Sequence, residues 1–126
     1  MIKQAAGVLV QAEGKVLGFQ HLMKNPGCIG IPGGKLEGNE TPAEAAIREC
    51  LEETGHFVEI LDMEPYVDLS SNGQFVMHVF LAEIVATTEP SHPEEGIEAW
   101  ITPETLANDS VYGEFNTKML AHFGVL

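Results

Sequence analysis

The stretch GGKLEGNETPAEAAIRECLEETGH, from Gly33 to His56, decides how this chain is read. Its centre carries the marks of a helix over residues 41–54. Thr41 suits the N-cap, Pro42 sits in the first turn where its missing N–H costs nothing, and Glu44 completes a capping box. Ala43, Ala46, Ile47, Cys50, Leu51 and Thr54 recur at helical spacing and predict the buried stripe. Gly55 then closes the helix as a left-handed C-cap residue.

The polar side of that helix is unusual. Glu49, Glu52 and Glu53 stand at i, i+3 and i+4, so three carboxylates share one turn. Like charges at that spacing cost an isolated helix about 0.2–0.5 kcal/mol per pair. Arg48 relieves part of this by pairing with Glu44 or Glu52, each four residues away, but one guanidinium does not neutralise three carboxylates. A hard dication such as Mg²⁺ would, since it takes oxygen ligands and commonly uses a few carboxylates together with phosphate oxygens. Taken alone, the three residues also fit a solvated acidic face, which is common on Glu-rich helices. Just upstream, Gly33-Gly34 follows a short apolar segment and lets the backbone approach a ligand closely. By itself that pair fits a tight turn equally well.

Outward from the helix, strands dominate. Lys3 to Ala12 reads as a buried strand, Glu13-Gly14 as a turn, and Lys15 to Gln20 as the returning strand of a hairpin. Residues 23–27 are loop-like, with Asn25-Pro26-Gly27 a turn signal, and Cys28 to Ile31 forms a short apolar segment. Phe57 to Leu69 predicts one long or interrupted strand, with Pro65 marking a bulge or an edge. After the Ser71-Asn72-Gly73 turn, Gln74 to Val85 predicts a strand too apolar for a fully wet face. An acidic loop from Thr87 to Gly96 leads to a strand over Ile97–Ile101. Thr102-Pro103-Glu104 starts a helical turn, and Phe115 to Phe123 predicts a last helix. Without a clean βαβ alternation, the fold class is α+β with a mixed sheet.

The 126 residues are read as one domain, able to bury roughly two-thirds of the unfolded surface without a disulfide or structural metal. No apolar run approaches the ~18 residues of a membrane span, and the N-terminal residues do not read as a signal peptide. Cys28 and Cys50 lack metal-ligand or CxxC spacing, so a reduced, cytoplasmic protein is expected. The charge is −13, from 6 Lys+Arg against 19 Asp+Glu. From Glu49 to Glu114 there are fifteen carboxylates and no Lys or Arg. Such a surface does not neutralise duplex phosphates or bind an anionic membrane. An anionic ligand would have to be met through something positive other than side chains, and a divalent cation is the natural candidate.

Taken together, Gly34, Glu40, Arg48, Glu49, Glu52, Glu53 and Gly55 resemble the Nudix box, G-x5-E-x7-R-E-U-x-E-E-x-G-U, over residues 34–56. At ~7% abundance per residue type, seven fixed positions coincide by chance on the order of once in a hundred million starts. The lead-in Ile31-Pro32-Gly33-Gly34 and Glu37 also resemble the family. Three positions depart from it: Cys50 in an apolar slot, His56 in the last slot, and Ile29 about where a Trp is common.

The resemblance implies an α/β/α sandwich around a mixed sheet, formed by residues 1–126 as one Nudix hydrolase domain. It implies a Mg²⁺- or Mn²⁺-dependent enzyme that cleaves a nucleoside diphosphate linked to another group. Glu49, Glu52, Glu53 and the Gly33 carbonyl would hold the metal, Arg48 would orient the glutamates, and Glu40 would hold Arg48. A general base is expected at Glu52 or Glu53, or on the acidic loop, where Glu98 is favoured over Glu94 and Glu95 as an extra ligand or base. Gly33 and Gly34 would face the substrate. Asn116 resembles the base-reading Asn of the MutT-like nucleoside triphosphate pyrophosphohydrolases, and equally suits a helix N-cap. Phe75, Phe80 and Trp100 are aromatic candidates for base stacking or for the core. A nucleoside triphosphate, including a damaged one, is the expected substrate. ADP-ribose or nucleotide-sugar hydrolysis and a silent nucleotide-sensing module are the alternatives. A small nucleotide is the expected partner, with no duplex nucleic acid or membrane, and the chain is expected as a monomer or homodimer.

Overall fold

Six consecutive buried residues, Ala5 to Val10, run through the middle of β1 (Lys3–Ala12). A strand apolar on both faces has to be covered on both sides. The computed structural model, which describes residues 2–126, shows what covers it. The chain continues as β2 (Lys15–His21), β3 (Ile29–Gly30), β4 (Gly33–Lys35), α1 (Pro42–Thr54), β5 (His56–Ile60), β6 (Tyr66–Leu69), β7 (Phe75–Thr87), β8 (Gly96–Ile101), α2 (Pro103–Ala107) and α3 (Gly113–His122). β1 pairs in parallel with β7 and antiparallel with β4, and β7 pairs antiparallel with β5 and β6. β2 pairs antiparallel with β3 and β8. The sheet is therefore mixed.

Alternation along β1 sends residues to two separate cores. Ala6, Val8 and Val10 pack with Phe80, Ala82 and the α1 residues Ala43, Ala46 and Cys50. Leu9 packs on the other face with Val79, Leu106 of α2, and Met119 and Leu120 of α3. Burying a side chain of this size contributes about 1.5–3 kcal/mol, so both helical layers are held by β1. The result is the expected α/β/α sandwich.

The helix at 41–54 forms as its local signals dictate. Thr41 accepts from the Glu44 amide while the Glu44 side chain accepts from the Thr41 amide, and Gly55 ends α1 at φ +78°. Its buried side is wider than the expected stripe. Ala45 and Glu53 are buried, whereas Ile47 and Leu51 are only half-buried. On this side α1 meets β4, where the Gly33 amide donates to Glu53 and Gly34 lies against the Glu49 carboxyl; the loop after β7 separately crosses the C-terminal end of α1, with the His92 amide donating to the Glu52 carbonyl and the Thr88 amide to that of Gly55.

Of the two readings of segment 57–69 the interrupted one holds: it is two strands that pair with successive halves of β7, and Pro65 lies in the connection just before β6. Two expectations need correction. The β1–β2 hairpin pairs only at its tip, through Gln11↔Val16 and Ala12↔Lys15, while β2 pairs with β8 from Val16 to His21. The last helix starts at Gly113, which puts Asn116 inside its first turns; Tyr112 holds the cap position without a capping side-chain bond. Among the described residues no helix is long and apolar enough to cross a membrane.

Gly55 ties α1 to the crossing loop, and a Cβ there would lie 2.0 Å from the Thr88 carbonyl oxygen. Gly55→Ala combines that clash with a left-handed backbone, and is expected to cost at least ~2 kcal/mol in denaturant unfolding.

Candidate functional site

The acidic turn of α1 is organised from one side by Arg48. Its Nε and Nη2 donate to the two oxygens of Glu40 at 2.6 and 3.0 Å, a bidentate pair. Nη1 donates to Glu49 Oε1 at 3.0 Å and to Glu52 Oε1 at 2.9 Å, and Nη2 also reaches the Lys35 carbonyl at 3.0 Å. The Arg48 guanidinium holds the Glu40 carboxyl below the usual carboxylate range. The alternative pairing of Arg48 with Glu44 does not form, because Glu44 is engaged in the helix cap. Gly34 makes room for this arrangement. A Cβ there would sit 2.5–2.7 Å from the Glu49 carboxyl group, so the carboxylate occupies the space that a side chain would fill.

Glu53 lies outside Arg48's reach. It is 7% exposed, and its one hydrogen-bond partner among the described residues is the Gly33 amide, which donates to Oε1 at 2.9 Å. Burial pushes the Glu53 carboxyl up to about 9; the Gly33 bond opposes this, while the charges of Glu49, Glu95 and Glu52 add to it. Burial likewise raises Glu49, against the pull of Arg48. Both glutamates feel Glu95, which the crossing loop brings to the acidic turn.

A buried carboxyl without a cation beside three others is a donor set that suits a hard dication. Among the described residues, no three such side chains are drawn together at metal-binding spacing. Glu49 and Glu52 instead give an oxygen each to Arg48. The residues fit a divalent cation in kind, with one oxygen each of Glu49 and Glu52 turned to the guanidinium and one of Glu53 to the Gly33 amide.

Beside Gly33 and Gly34 opens a cleft of about 510 Å³, within the usual range for small-molecule sites. In a chain with 19 carboxylates, no Asp or Glu lines it. Lys24 and Lys35, two of the six Lys and Arg residues, do. Phe75, Tyr112 and Phe115 supply aromatic walls, and the Lys35 ammonium stands 5.8 Å from the centre of the Phe75 ring. The Asn25 amide donates to the Tyr112 hydroxyl at 3.0 Å, and the Ile29 amide donates to Asp109 at 2.8 Å, so two loops are stitched into one wall.

The structure thus gathers Glu49, Glu52, Glu53 and Arg48 on one turn, and brings Gly33, Gly34 and Asn116 together at the cleft. Glu98 is engaged by His56. On β8 it faces α1, where the His56 Nε2–H donates to its carboxylate, while His56 Nδ1 meets Thr87 at 2.9 Å. The loop carboxylate beside the acidic turn is Glu95, which the sequence ranked below Glu98. Lys24, Asn25 and Tyr112 were also missed; only the Asn-Pro-Gly turn marked that loop, and no spacing pointed to a wall. Phe80 is core, Trp100 packs against the α1-side core, and Phe75 is the aromatic candidate that reaches the cleft.

A NUDIX domain family model matches residues 1–123. A MutT-like protein from Streptomyces ambofaciens is 31% identical over 102 residues, covering 81% of this chain and 64% of that protein, so the match spans less than two-thirds of that relative. A NUDIX hydrolase from Nitrosomonas europaea superposes with TM-score 0.82 at 18% identity, over 98% of this chain and 89% of the other. A C. elegans Ap4A hydrolase does so with TM-score 0.73 at 20% identity, over 98% and 100%. At these identities the likeness to both structures is one of fold.

The state of Glu53 has a consequence for stability. The folded chain keeps a proton on Glu53 up to about pH 9, whereas the unfolded chain releases it near the ordinary 4.5. The unfolded state then binds fewer protons between those values, and stability falls as pH rises through that window. In metal-free protein, Glu53→Gln is expected to raise Tm at pH 8 and to leave it nearly unchanged at pH 4.

Proposed function

The chain belongs to the NUDIX family, and from that premise we propose that it is a divalent-cation-dependent pyrophosphohydrolase that uses water to cleave a nucleoside triphosphate into monophosphate and pyrophosphate. One observation carries this reading. The carboxylate-free cleft, with Lys24, Lys35 and its aromatic walls, abuts the acidic turn through Gly33 and Gly34. An anion with a flat, stacking group fits the first, and its phosphates then lie towards the second.

Glu49, Glu52, Glu53 and the Gly33 carbonyl are the groups to hold Mg²⁺ or Mn²⁺, joined by Glu95 in place of Glu98. When bound, such a cation neutralises phosphate charge and lowers the pKa of a water molecule. Arg48, fixed by Glu40, orients the oxygens of Glu49 and Glu52. Lys24 and Lys35 draw the anion into a chain whose other surfaces repel it. Glu52 or Glu53, once ionised, takes the proton of the attacking water. Residues 2–126 act as one domain, because both helical layers close on the same sheet. Retention of all three turn glutamates and Arg48 favours turnover over silent sensing.

Incubation with Mg²⁺ and a panel of nucleotides tests the reading. Pyrophosphate and monophosphate are expected from at least one triphosphate; sugar phosphate from ADP-ribose, with no pyrophosphate from any triphosphate, contradicts it. Glu53→Gln is expected to lower kcat by about a hundredfold or more. Glu95→Gln is expected to cost clearly more activity than Glu98→Gln, and the reverse order would return the loop role to Glu98.

A further inference from the structure

His56 stands where the Nudix pattern has a bulky apolar residue, and its ring is buried, at 8% exposure. Both ring nitrogens are engaged. Nε2–H donates to the Glu98 carboxylate, and Nδ1 meets the Thr87 hydroxyl at 2.9 Å. Nδ1 accepts the Thr87 O–H when the ring is neutral and donates to that oxygen when it is charged, so both bonds hold in either state. Thr87 ends β7 and Glu98 lies in β8, so the two partners flank the loop at 88–95. β5, which carries His56, is separated from β8 in strand order by β7, β1 and β2. One imidazole thus fastens both ends of a single loop from a distant strand.

That loop has little else to fix it. No side chain from Thr88 to Glu95 is buried. Its ties to neighbouring elements run through the backbone: the Thr88 amide to Gly55, the His92 amide to Glu52, and the Leu22 amide to the Glu95 carbonyl. The charge of Glu95 bears on Glu49 and Glu53, and like charges push the loop outward. Resting on the reading that Glu95 joins the cation site, we propose that His56 is a positioning residue. By clamping Thr87 and Glu98 it holds the loop so that Glu95 stays at the acidic turn. His56 itself does not line the cleft, and its effect reaches the cation through Glu95. Loss of a partner that orients a metal ligand costs about ten- to a hundredfold in metal affinity.

The test is Mn²⁺ binding by calorimetry to wild type, His56→Leu, Glu95→Gln and the double variant, each shown to be folded by circular dichroism. His56→Leu restores an apolar residue and removes both bonds. It is expected to weaken Mn²⁺ binding about tenfold, but to change it less than about twofold in the Glu95→Gln background. His56→Gln, whose amide can still donate to Glu98, is expected to recover most of the loss. A residue that merely stabilised the fold would cost the same with or without Glu95. With a triphosphate that is turned over, the half-activating Mg²⁺ concentration is expected to rise about tenfold in His56→Leu, while kcat at saturating Mg²⁺ stays within about threefold of wild type. Should His56→Leu fail to fold, Thr87→Val removes one of the two bonds and decides, with a loss of about threefold that again vanishes without Glu95. Unchanged Mn²⁺ affinity in the folded clamp variant, or a loss that persists in full without Glu95, overturns the proposal and leaves Glu95 in the site. Unchanged affinity in Glu95→Gln removes Glu95 from the site, and the proposal with it. The expected Mn²⁺ pattern without turnover of any triphosphate upholds the clamp and sinks the hydrolase reading alone.

Discussion

Arg48 donates hydrogen bonds to five oxygens, two from Glu40, one each from Glu49 and Glu52, and the Lys35 carbonyl, and Glu37 adds an ion pair at 3.4 Å. The site depends on this one guanidinium. Without it, the carboxylates of Glu49 and Glu52 would repel each other and turn towards solvent. With it, both are fixed in direction by a single planar group that is itself gripped in a bidentate pair. The grip passes beyond the helix, since Glu40 lies before α1 and Lys35 ends β4. Arg48 therefore fastens the acidic turn to the Gly33–Lys35 strand on which the cleft opens.

Charge is sorted across that junction. On one side Glu53 is buried without a cation and holds its proton; on the other lies a cleft with lysines and no carboxylates. The two meet at Gly33, whose amide bonds Glu53, and at Gly34, whose missing side chain admits the Glu49 carboxylate. A net charge of −13 then has a simple physical meaning. Most of the surface repels an anion, and the cleft beside a cation-hungry turn is where one is accepted.

What the sequence made legible follows how local each feature is. The helix from Thr41 to Gly55 is set by neighbours three and four residues apart, so its caps and its acidic turn could be read before any folding. Arg48's partners were only half readable: spacing alone left Glu44 and Glu52 open, and the capping box then removed Glu44. Glu40 came from the Nudix resemblance. Where Glu98 points is set by strand pairing, which spacing along the chain does not show. The β2–β8 register puts Phe19 opposite Glu98, and the two-residue period turns Glu98 and Trp100 to the α1 face, where His56 takes Glu98. Glu95 precedes β8 and escapes that constraint. The cleft wall was hidden for the same reason, since its two bonds join residues 80 and 87 positions apart. Asn116 was seen, but the carbonyls to which its amide donates, those of Ile29 and Leu106, lie on two other elements.

The central claim is that the buried, protonated Glu53 belongs to a site completed by a divalent cation. The direct measurement is proton release on Mn²⁺ binding at pH 7, read by calorimetry in buffers of different ionisation enthalpy. The wild-type chain is expected to release about one proton per cation bound, and Glu53→Gln to bind more weakly and release close to none. Equal affinity in the two proteins, with no proton released by either, would contradict the account.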